Sequence, residues 1–379
     1  MCGQTSASRL KLKMMTTKKP NIALLMGGPS TEHKISLLSG TSIYNAINKD
    51  RYNVLVVGID HDTRWWLYEG DDFLDYPGQP DKISLKSGAM EVFVRNVDRK
   101  VVLMSARGEI LKDIDLFFPV LHGSYGEDGV LQGVFQSVGA AYTGVGLMAS
   151  SVGMDKDLAK RVWRDAGIPI ADFICLKKHE KSSLTFEEIK QKLGLPIFVK
   201  PANAGSSVGV SKVTSEAEYY LALDEAFRFD TKILIEEAVI GKEVECAVLG
   251  NEFPKASVMG EIIPKATFYS YEAKYLDDDG ASMAIPANID TDTSDALRNL
   301  AVKAFQTIGC EGLARVDFFL TSAGKMVLNE INTLPGFTSI SMYPKLWEAT
   351  GLPYTQLIDE IISLGLERYK RDVSLVKRI

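Results

Sequence analysis

The chain has 379 residues, of which 46% are apolar, so it is long enough to bury the cores of two or three domains. The formal net charge is −6, and it becomes −11 without the first twenty residues, which contain five basic residues and no acid. This balance excludes general nucleic-acid binding, and any anionic ligand must be held by a local basic cluster. Because the apolar runs are far shorter than the roughly 20 residues that span a bilayer, the sequence also predicts no membrane segment.

The N-terminal tail and the cysteines indicate the cellular compartment of the protein. Residues 1–20 lack the apolar stretch of a secretory signal, and we predict a disordered basic tail there. Cys2, Cys175, Cys246 and Cys310 are far apart and form no Cys-x-x-Cys pair, so the sequence predicts neither a zinc site nor a disulfide framework. A reducing compartment fits this usage, and we predict a cytoplasmic protein.

From Asn21 the chain reads strand, glycine turn, helix, and then strand again. This alternation predicts a parallel α/β domain over residues 21–143, with ligands at the carboxyl ends of its strands. Glu32 is predicted in the first turn of the first helix, where the helix dipole favours an acid whatever its function. His122 follows a buried strand and faces the predicted ligand crevice, although a turn histidine is often only a surface residue. The sequence of the stretch 61–113 does not allow its helices and strands to be assigned.

The next segment, residues 144–235, is predicted as a second domain around a strand that ends at Lys200. Lys156 begins a predicted helix, and a loop of small residues that contains Ser206 and Ser207 follows Lys200. Glycines allow backbone N–H groups to approach a phosphate, but a lone glycine-serine loop is more often a plain hairpin. Because two lysines and a carboxylate cluster accompany this loop, we favour a lid that covers phosphate groups.

The last part of the chain contains strands of alternating polarity that are predicted to pair antiparallel. Two of them form a predicted hairpin that brings Asp317 to Glu330 and Asn332, beside Arg315. Strict alternation also places Leu328 on the same face as Glu330. Three oxygen donors beside an arginine are typical of Mg²⁺-bound phosphates, whereas the competing interpretation is an internal Arg–Asp salt bridge.

Six segments, taken in order, resemble the D-alanine–D-alanine ligases of bacterial cell-wall synthesis, which have the ATP-grasp fold. They read GGPSTEHKISLLSG, LHGSYGEDGVLQG, VKPANAGSSVGVSKV, FYSYEAKY, GLARVDFF and NEINTLPGFTSIS. The resemblance extends from Asn21 to about Tyr369. It implies an α/β protein, with α+β character in its C-terminal half, and three domains: a substrate domain (21–143), a lid domain (144–235) and a catalytic domain (236–379).

The resemblance also implies an activity. ATP phosphorylates the carboxylate of one D-alanine to give an acyl phosphate, and the amine of a second D-alanine attacks it. The expected cofactors are ATP and two Mg²⁺ or Mn²⁺ ions, and the expected assembly is a homodimer with small-molecule substrates and no nucleic-acid or membrane partner. The implied residues are Glu32, Ser206, Tyr275 and Arg315 for catalysis; His122, Lys274 and Ser341 for substrate; Lys156, Lys200, Ser207, Glu236, Glu237, Val239 and Glu243 for ATP; and Asp317, Glu330 and Asn332 for metal.

Alternative interpretations stay open for two sequence features and for the function. Lys274 and Tyr275 lie in a long aromatic and charged loop, which is either surface decoration or a lid that excludes water. Lys34 stands where relatives often carry an acid. The competing functions are a ligase that joins D-alanine to D-lactate or D-serine, and a nucleotide-binding protein that kept the fold without catalysis.

Overall fold

The computed structural model describes residues 18–264 and 281–375. Most of the predicted tail lies outside the described residues, as does the stretch 265–280 with Lys274 and Tyr275. Across the two described ranges, no helix is long and apolar enough to cross a membrane.

The N-terminal part of the described chain is organised around one large sheet. Its strands run in the order β8-β7-β6-β3-β2-β1-β9, and a separate small ladder joins β4 to β5. The strands are β1 (Asn21–Gly27), β2 (Asn53–Ile59), β3 (Trp65–Tyr68), β4 (Leu74–Asp75), β5 (Ser84–Leu85), β6 (Met90–Val97), β7 (Lys100–Ser105), β8 (Ile110–Ile114) and β9 (Leu116–Pro119).

The predicted parallel pairing holds for one part of this sheet. β1 pairs in parallel with β2 and β9, whereas β3, β6, β7 and β8 are antiparallel to their neighbours. These four strands come from the stretch 61–113 that the sequence left unassigned. Asp98 and Arg99, both with positive φ (51° and 66°), alone separate β6 from β7. Such a turn leaves no room for the crossover that parallel neighbours require. The α/β class is therefore confirmed, with a mixed sheet in place of the predicted parallel one.

A tight glycine turn places Glu32 at the carboxyl end of β1. Gly27 and Gly28 have φ values of 100° and 98°, which suit glycine. A Cβ at Gly27 would lie 2.3 Å from the carbonyl oxygen of Ile59, so no larger residue fits there. The turn ends with Glu32 at the N-cap of the first helix. The helices of this part are α1 (His33–Ala46), α2 (Val130–Ser137), α3 (Leu147–Met154) and α4 (Lys156–Asp165).

The middle of the chain forms a smaller antiparallel sheet in the order β10-β13-β11-β12. Two helices cover it, and a capping box between Thr185 and Glu188 begins the first of them. The last strand runs to Glu237, two residues past the predicted domain limit at 235, and the domain limits stay a prediction. The elements are β10 (Phe173–Lys177), a 3₁₀ turn (Lys178–Glu180), α5 (Phe186–Leu193), β11 (Ile197–Pro201), β12 (Ser211–Val213), α6 (Glu216–Phe229) and β13 (Lys232–Glu237).

The C-terminal part contains a third sheet, ordered β16-β15-β14-β17-β18 and antiparallel throughout, as predicted. Leu357, Ile358 and Ile361 of the last helix join Leu24 of β1 in one apolar core, so this helix ties the first sheet to the third. The elements are β14 (Lys242–Gly250), β15 (Lys255–Pro264), β16 (Ala281–Ala284), α7 (Thr291–Thr307), β17 (Gly312–Leu320), β18 (Met326–Asn332), α8 (Met342–Ala349) and α9 (Tyr354–Ser374).

The β17–β18 hairpin forms as predicted, but its alternation is interrupted. Asp317 pairs with Glu330, while the adjacent Phe318 pairs with Leu328, so Asn329 is an extra residue in β18. A bulge of this kind shifts the side-chain alternation by one position. The predicted common face of Leu328 and Glu330 is therefore wrong, because Leu328 is buried in the apolar core while Glu330 lines a cavity.

Candidate active site

A cavity of about 370 Å³ lies between the second and third sheets, and it collects most of the predicted site residues. A second, more open depression, lined by residues 177–179, 203 and 230–232, contains none of them. The predicted residues that line the cavity are Lys156, Lys200, Ser206, Ser207, Glu236, Glu237, Val239, Glu243, Arg315, Asp317 and Glu330.

One wall of the cavity is a set of charges on paired strands. The Arg315 guanidinium makes two hydrogen bonds to the Asp317 carboxylate, Nε to Oδ1 at 2.8 Å and Nη2 to Oδ2 at 2.7 Å. Its Nε also lies 3.0 Å from Oε2 of Glu245. Glu245 of β14 is directly opposite Asp317 of β17, which explains why the two acids share one arginine. The salt bridge that competed with the metal-site interpretation is thus present.

The opposite edge of this wall pairs Lys156 with Glu330. Nζ of Lys156 lies 3.4 Å from Oε2 of Glu330 and donates a hydrogen bond to the carbonyl oxygen of Ala204 at 2.7 Å. Lys156 reaches both because it is the first residue of α4, whose N-cap Asp155 accepts from the amide of Leu158 at 3.1 Å. The helix start therefore connects the carboxylate wall to the loop that contains Ser206.

The oxygen donors predicted for metal are close in the ladder but do not form an acid cluster. Asn332 is opposite Arg315, two ladder positions from the Asp317–Glu330 pair. Its Oδ1 atom is buried and accepts no hydrogen bond from the residues that the structure describes. Among those same residues, no three acid, imidazole or thiol side chains lie close enough to hold a metal ion. The donor set itself, two carboxylates and an amide oxygen, has the chemistry that Mg²⁺ and Mn²⁺ prefer.

The floor of the cavity contains a carboxylate between two ammonium groups. Oε2 of Glu236 lies 2.6 Å from Nζ of Lys200, and Oε1 lies 3.1 Å from Nζ of Lys160. Burial acts to raise the pKa of Glu236, but the two lysines outweigh it, so the pKa is below its usual value. Burial also lowers the pKa of Lys160, against the attraction of Glu236. Lys160 was not predicted from the sequence, although its position one helical turn after Lys156 places both on one face of α4.

A loop residue closes the cavity against the first domain. Oγ of Ser206 donates a hydrogen bond to Oε1 of Glu32 at 2.5 Å, which links residues 174 positions apart. Ser206 and Ser207 have φ values of 51° and 61°, so both occupy the left-handed region. Gly123 has a φ of 72°, and a Cβ there would lie 2.7 Å from Oε2 of Glu32, so a glycine suits the point where the His122 turn passes this carboxylate.

His122 lies behind Glu32 and not in the cavity. Its Nδ1 is 2.9 Å from the carbonyl oxygen of Leu334, and its Nε2 is 3.1 Å from Oγ of Ser39. A carbonyl can only accept, so Nδ1 carries the proton and Nε2 accepts from the serine hydroxyl. Oγ of Ser39 in turn accepts from the amide of Phe337 at 3.2 Å. Burial lowers the pKa of His122 and keeps the ring neutral, so it links the substrate domain to the loop after β18.

Glu127 is a further acid near Glu32 that was not predicted from the sequence. Its Oε1 accepts a hydrogen bond from the amide of Gly123 at 2.7 Å. Burial, with a second contribution from the negative charge of Glu32, raises the pKa of Glu127 to about 8. Glu127 lies in the motif LHGSYGEDGVLQG, five residues after His122. This short spacing from a predicted site residue could have identified Glu127 as a candidate.

The remaining predicted residues are not gathered at the cavity. Ser341 is the N-cap residue of α8, and its Oγ accepts from the amide of Thr338 at 2.9 Å. Lys34, the departure noted in the sequence, is exposed and donates to the carbonyl oxygen of Asp81 at 2.5 Å. Lys274 and Tyr275 lie outside the described residues, so their roles stay predictions.

Comparison with known proteins adds an independent line of evidence. Residues 21–145 match the family described as D-ala D-ala ligase N-terminus, and residues 162–363 match D-ala D-ala ligase C-terminus. The chain is 47% identical over 358 residues to the D-alanine–D-alanine ligase of Shouchella clausii, covering 94% of this chain and 97% of that protein. It is also 47% identical over 359 residues to D-alanine–D-alanine ligase A of Escherichia coli, with 94% and 99% covered.

Solved structures give the same picture. The D-alanine–D-alanine ligase from Coxiella burnetii has a TM-score of 0.81 at 36% identity and covers 94% of this chain and 97% of its own. The VanG D-Ala:D-Ser ligase from Enterococcus faecalis has a TM-score of 0.80 at 33% identity and covers 92% and 100%. The predicted ATP-grasp fold is thus confirmed by similarity over nearly the whole chain.

Proposed function

Because this chain belongs to the D-alanine–D-alanine ligase family, we propose that it uses ATP to join two D-alanine molecules into D-alanyl-D-alanine for peptidoglycan precursor synthesis. The observation that carries this proposal is the cavity in which Lys156, Lys200 and Arg315 face Asp317 and Glu330. Fold alone does not fix a function, but such a set of opposed charges is suited to phosphoryl transfer.

Charge supports the assignment of the nucleotide to this cavity. ATP brings about four negative charges into an acidic protein, and the cavity supplies local cations at Lys156 and Lys200. We assign these lysines and the Ser207 loop to the phosphates. Glu236, Glu237, Val239 and Glu243, which also line the cavity, are assigned to the adenosine.

Two Mg²⁺ or Mn²⁺ ions would be held by Asp317, Glu330 and Asn332. The buried Oδ1 of Asn332, which accepts no hydrogen bond among the described residues, supports this assignment. When bound, the ions neutralise phosphate charge during transfer. Arg315, held between Asp317 and Glu245, is assigned to the negative charge that develops on the transferred group and on the tetrahedral intermediate.

The first D-alanine is assigned to the space near Glu32, whose carboxylate attracts the substrate ammonium. Ser206 closes this space through its hydrogen bond to Glu32, and closure of such a lid excludes water from an acyl phosphate. The amine of the second D-alanine then attacks the acyl carbon and phosphate leaves. Lys274 and Ser341 are assigned to the carboxylate of that second substrate, and Tyr275 to the closed lid.

A second candidate product deserves a test because one similar solved structure is a D-Ala:D-Ser ligase. The wild-type enzyme should be incubated near neutral pH with ATP, Mg²⁺ and equal amounts of D-alanine, D-serine and D-lactate, and the products separated by mass. We expect D-alanyl-D-alanine as the main product, because a carboxylate-lined site attracts the ammonium group of an amino acid and not D-lactate, which carries an uncharged hydroxyl group in its place. A main product containing D-serine or D-lactate would contradict the assignment.

Two controls make this experiment decisive. Phosphate release from ATP should require D-alanine, whereas D-alanine-independent release or none at all would favour a nucleotide-binding protein without ligase activity. Tyr275→Phe should loosen the preference for D-alanine if its hydroxyl completes the lid. We also propose that the protein is cytoplasmic and that it forms a homodimer. Light scattering of the purified protein can check the homodimer.

A further inference from the structure

Lys160 is a buried charge that the proposed nucleotide site does not itself use. Lys200 and Glu236 line the cavity, whereas the side chain of Lys160 lies behind Glu236 and is 1% exposed. Its Nζ is 3.1 Å from Oε1 of Glu236 and makes no hydrogen bond of good geometry with the described residues. A buried ammonium is costly, so this arrangement calls for a reason beyond packing.

The reason is found in the partner that Lys160 shares. Nζ of Lys200 lies 2.6 Å from the other oxygen of Glu236, so two ammonium groups share one carboxylate and the cluster has a net charge of +1. With Lys200 as its sole partner, Glu236 would lose its neutralising charge whenever Lys200 turned towards a phosphate. An uncompensated buried carboxylate would then oppose nucleotide binding.

We propose that Lys160 is a positioning residue that keeps Glu236 neutralised and thereby releases Lys200 to bind a phosphate group of the nucleotide. This inference rests on the proposed ATP site. Lys160 can hold this place because it shares a face of α4 with Lys156, which is paired with Glu330 at the rim of the cavity. The two lysines on that face therefore pair with different carboxylates.

The test is the variant Lys160→Met, which keeps the length of the side chain and removes its charge. We expect the KM for ATP to rise about tenfold, with the KM for D-alanine changed by less than about twofold, because only the phosphate contact is weakened. Lys232→Met is the matched control. Lys232 lies on the same strand as Glu236, but its ammonium pairs with Asp155 and Asp157. This control should leave the KM for ATP within about twofold of wild type.

A double-mutant cycle separates this role from packing. In a Glu236→Gln background there is no carboxylate to neutralise, so adding Lys160→Met should weaken ATP binding by less than about twofold. An equal loss in both backgrounds would overturn the proposal. If Lys160→Met alone does not fold, the double variant still decides, since it replaces the pair by two uncharged side chains. Binding about tenfold weaker than in Glu236→Gln would then overturn it. A wild-type enzyme that fails to bind ATP would instead contradict the proposed function.

Discussion

The two sides of the cavity are held by different kinds of structure. On the sheet side, Arg315, Asp317 and Glu330 lie on hydrogen-bonded strands, and each charge has an opposite charge beside it. On the loop side, Ser206 and Ser207 occupy the left-handed region, which disfavours residues with a Cβ by roughly 1–2 kcal/mol each. The hydrogen bond from Ser206 to Glu32 ties the loop to the first domain. The sheet side is therefore built into the fold, while the loop side depends on contacts that a ligand can make or break.

The sheet side predicts the largest effect. Glu330→Gln removes one charge from the proposed metal site and from its pair with Lys156. We expect turnover to fall by at least about 10³-fold at ordinary Mg²⁺, because phosphate charge is no longer neutralised during transfer. The fold should be retained, because the strand keeps its ladder. Turnover and the circular dichroism spectrum check both expectations.

Glu252→Gln is the matched control for this substitution, since it removes one acid from an exposed ion pair with Arg371 in the same half of the chain. An exposed pair contributes little to stability, so this control should behave as wild type. Near wild-type turnover of Glu330→Gln would remove Glu330 from the proposed metal site.

The sheet side was also the more predictable one. The alternation of polar and apolar residues indicated that Asp317 and Glu330 meet across a hairpin, and they do. The bulge at Asn329 could not be read from the strand pattern, because a bulge depends on how the completed sheet packs. Glu245 and Lys160 were missed although each lies at a regular spacing from a predicted residue. The partner of each residue lies on a strand that is distant from it in the sequence, and a single sequence does not show which elements are neighbours in the fold.

The N-terminal sheet was harder for a local reason. The stretch 61–113 contains short strands joined by turns such as Asp98–Arg99, where two non-glycine residues have positive φ. The usual Asn-Gly or Gly-Gly hairpin signal is absent from that turn in the sequence. The strand-helix pattern around it favoured a parallel sheet, and that pattern applies to β2, β1 and β9 alone among the described strands of this sheet.

The loop side predicts an intermediate effect. Ser206→Ala removes the hydrogen bond to Glu32 and leaves the charges of the cavity unchanged. Because hydrogen bonds to charged groups contribute about 1.5–3 kcal/mol, we expect kcat/KM for D-alanine to fall about 10- to 100-fold. The KM for ATP should change little. Ser182→Ala, an exposed residue of the same domain, is the control. A loss confined to ATP binding would show that the loop serves the nucleotide and not the first substrate.

The same loop should respond to nucleotide where the sheet does not. Its small residues offer little apolar surface for anchoring, so ordering should come from the ligand. Hydrogen exchange across residues 203–210 should slow by about tenfold when Mg²⁺ and a non-hydrolysable ATP analogue are added. Exchange in the strands β17 and β18 should stay slow in both states. Equal exchange of residues 203–210 with and without the analogue would mean that this loop is not a lid.

The smallest effect concerns Glu127, whose pKa is raised in part by the negative charge of Glu32. Its pKa is raised to about 8, while a carboxyl group in an unfolded chain has a pKa of about 4.3. Between these values the folded protein keeps a proton that the unfolded chain releases. Its contribution to stability is therefore complete below the lower pKa and is lost as the pH rises through the higher one.

Glu127→Gln removes this titration and keeps an oxygen that can accept from the amide of Gly123. The variant should have the wild-type melting temperature at pH 4, where the carboxyl group is largely protonated in both the folded and the unfolded chain. At pH 9 wild type holds a partly buried carboxylate near Glu32, and we expect the variant to melt about 2 °C higher. Thermal unfolding of both proteins from pH 4 to pH 9 measures the difference. A difference that is the same at every pH would show that the Glu127 carboxyl titrates alike in the folded and unfolded chains, and that its burial does not hold the proton.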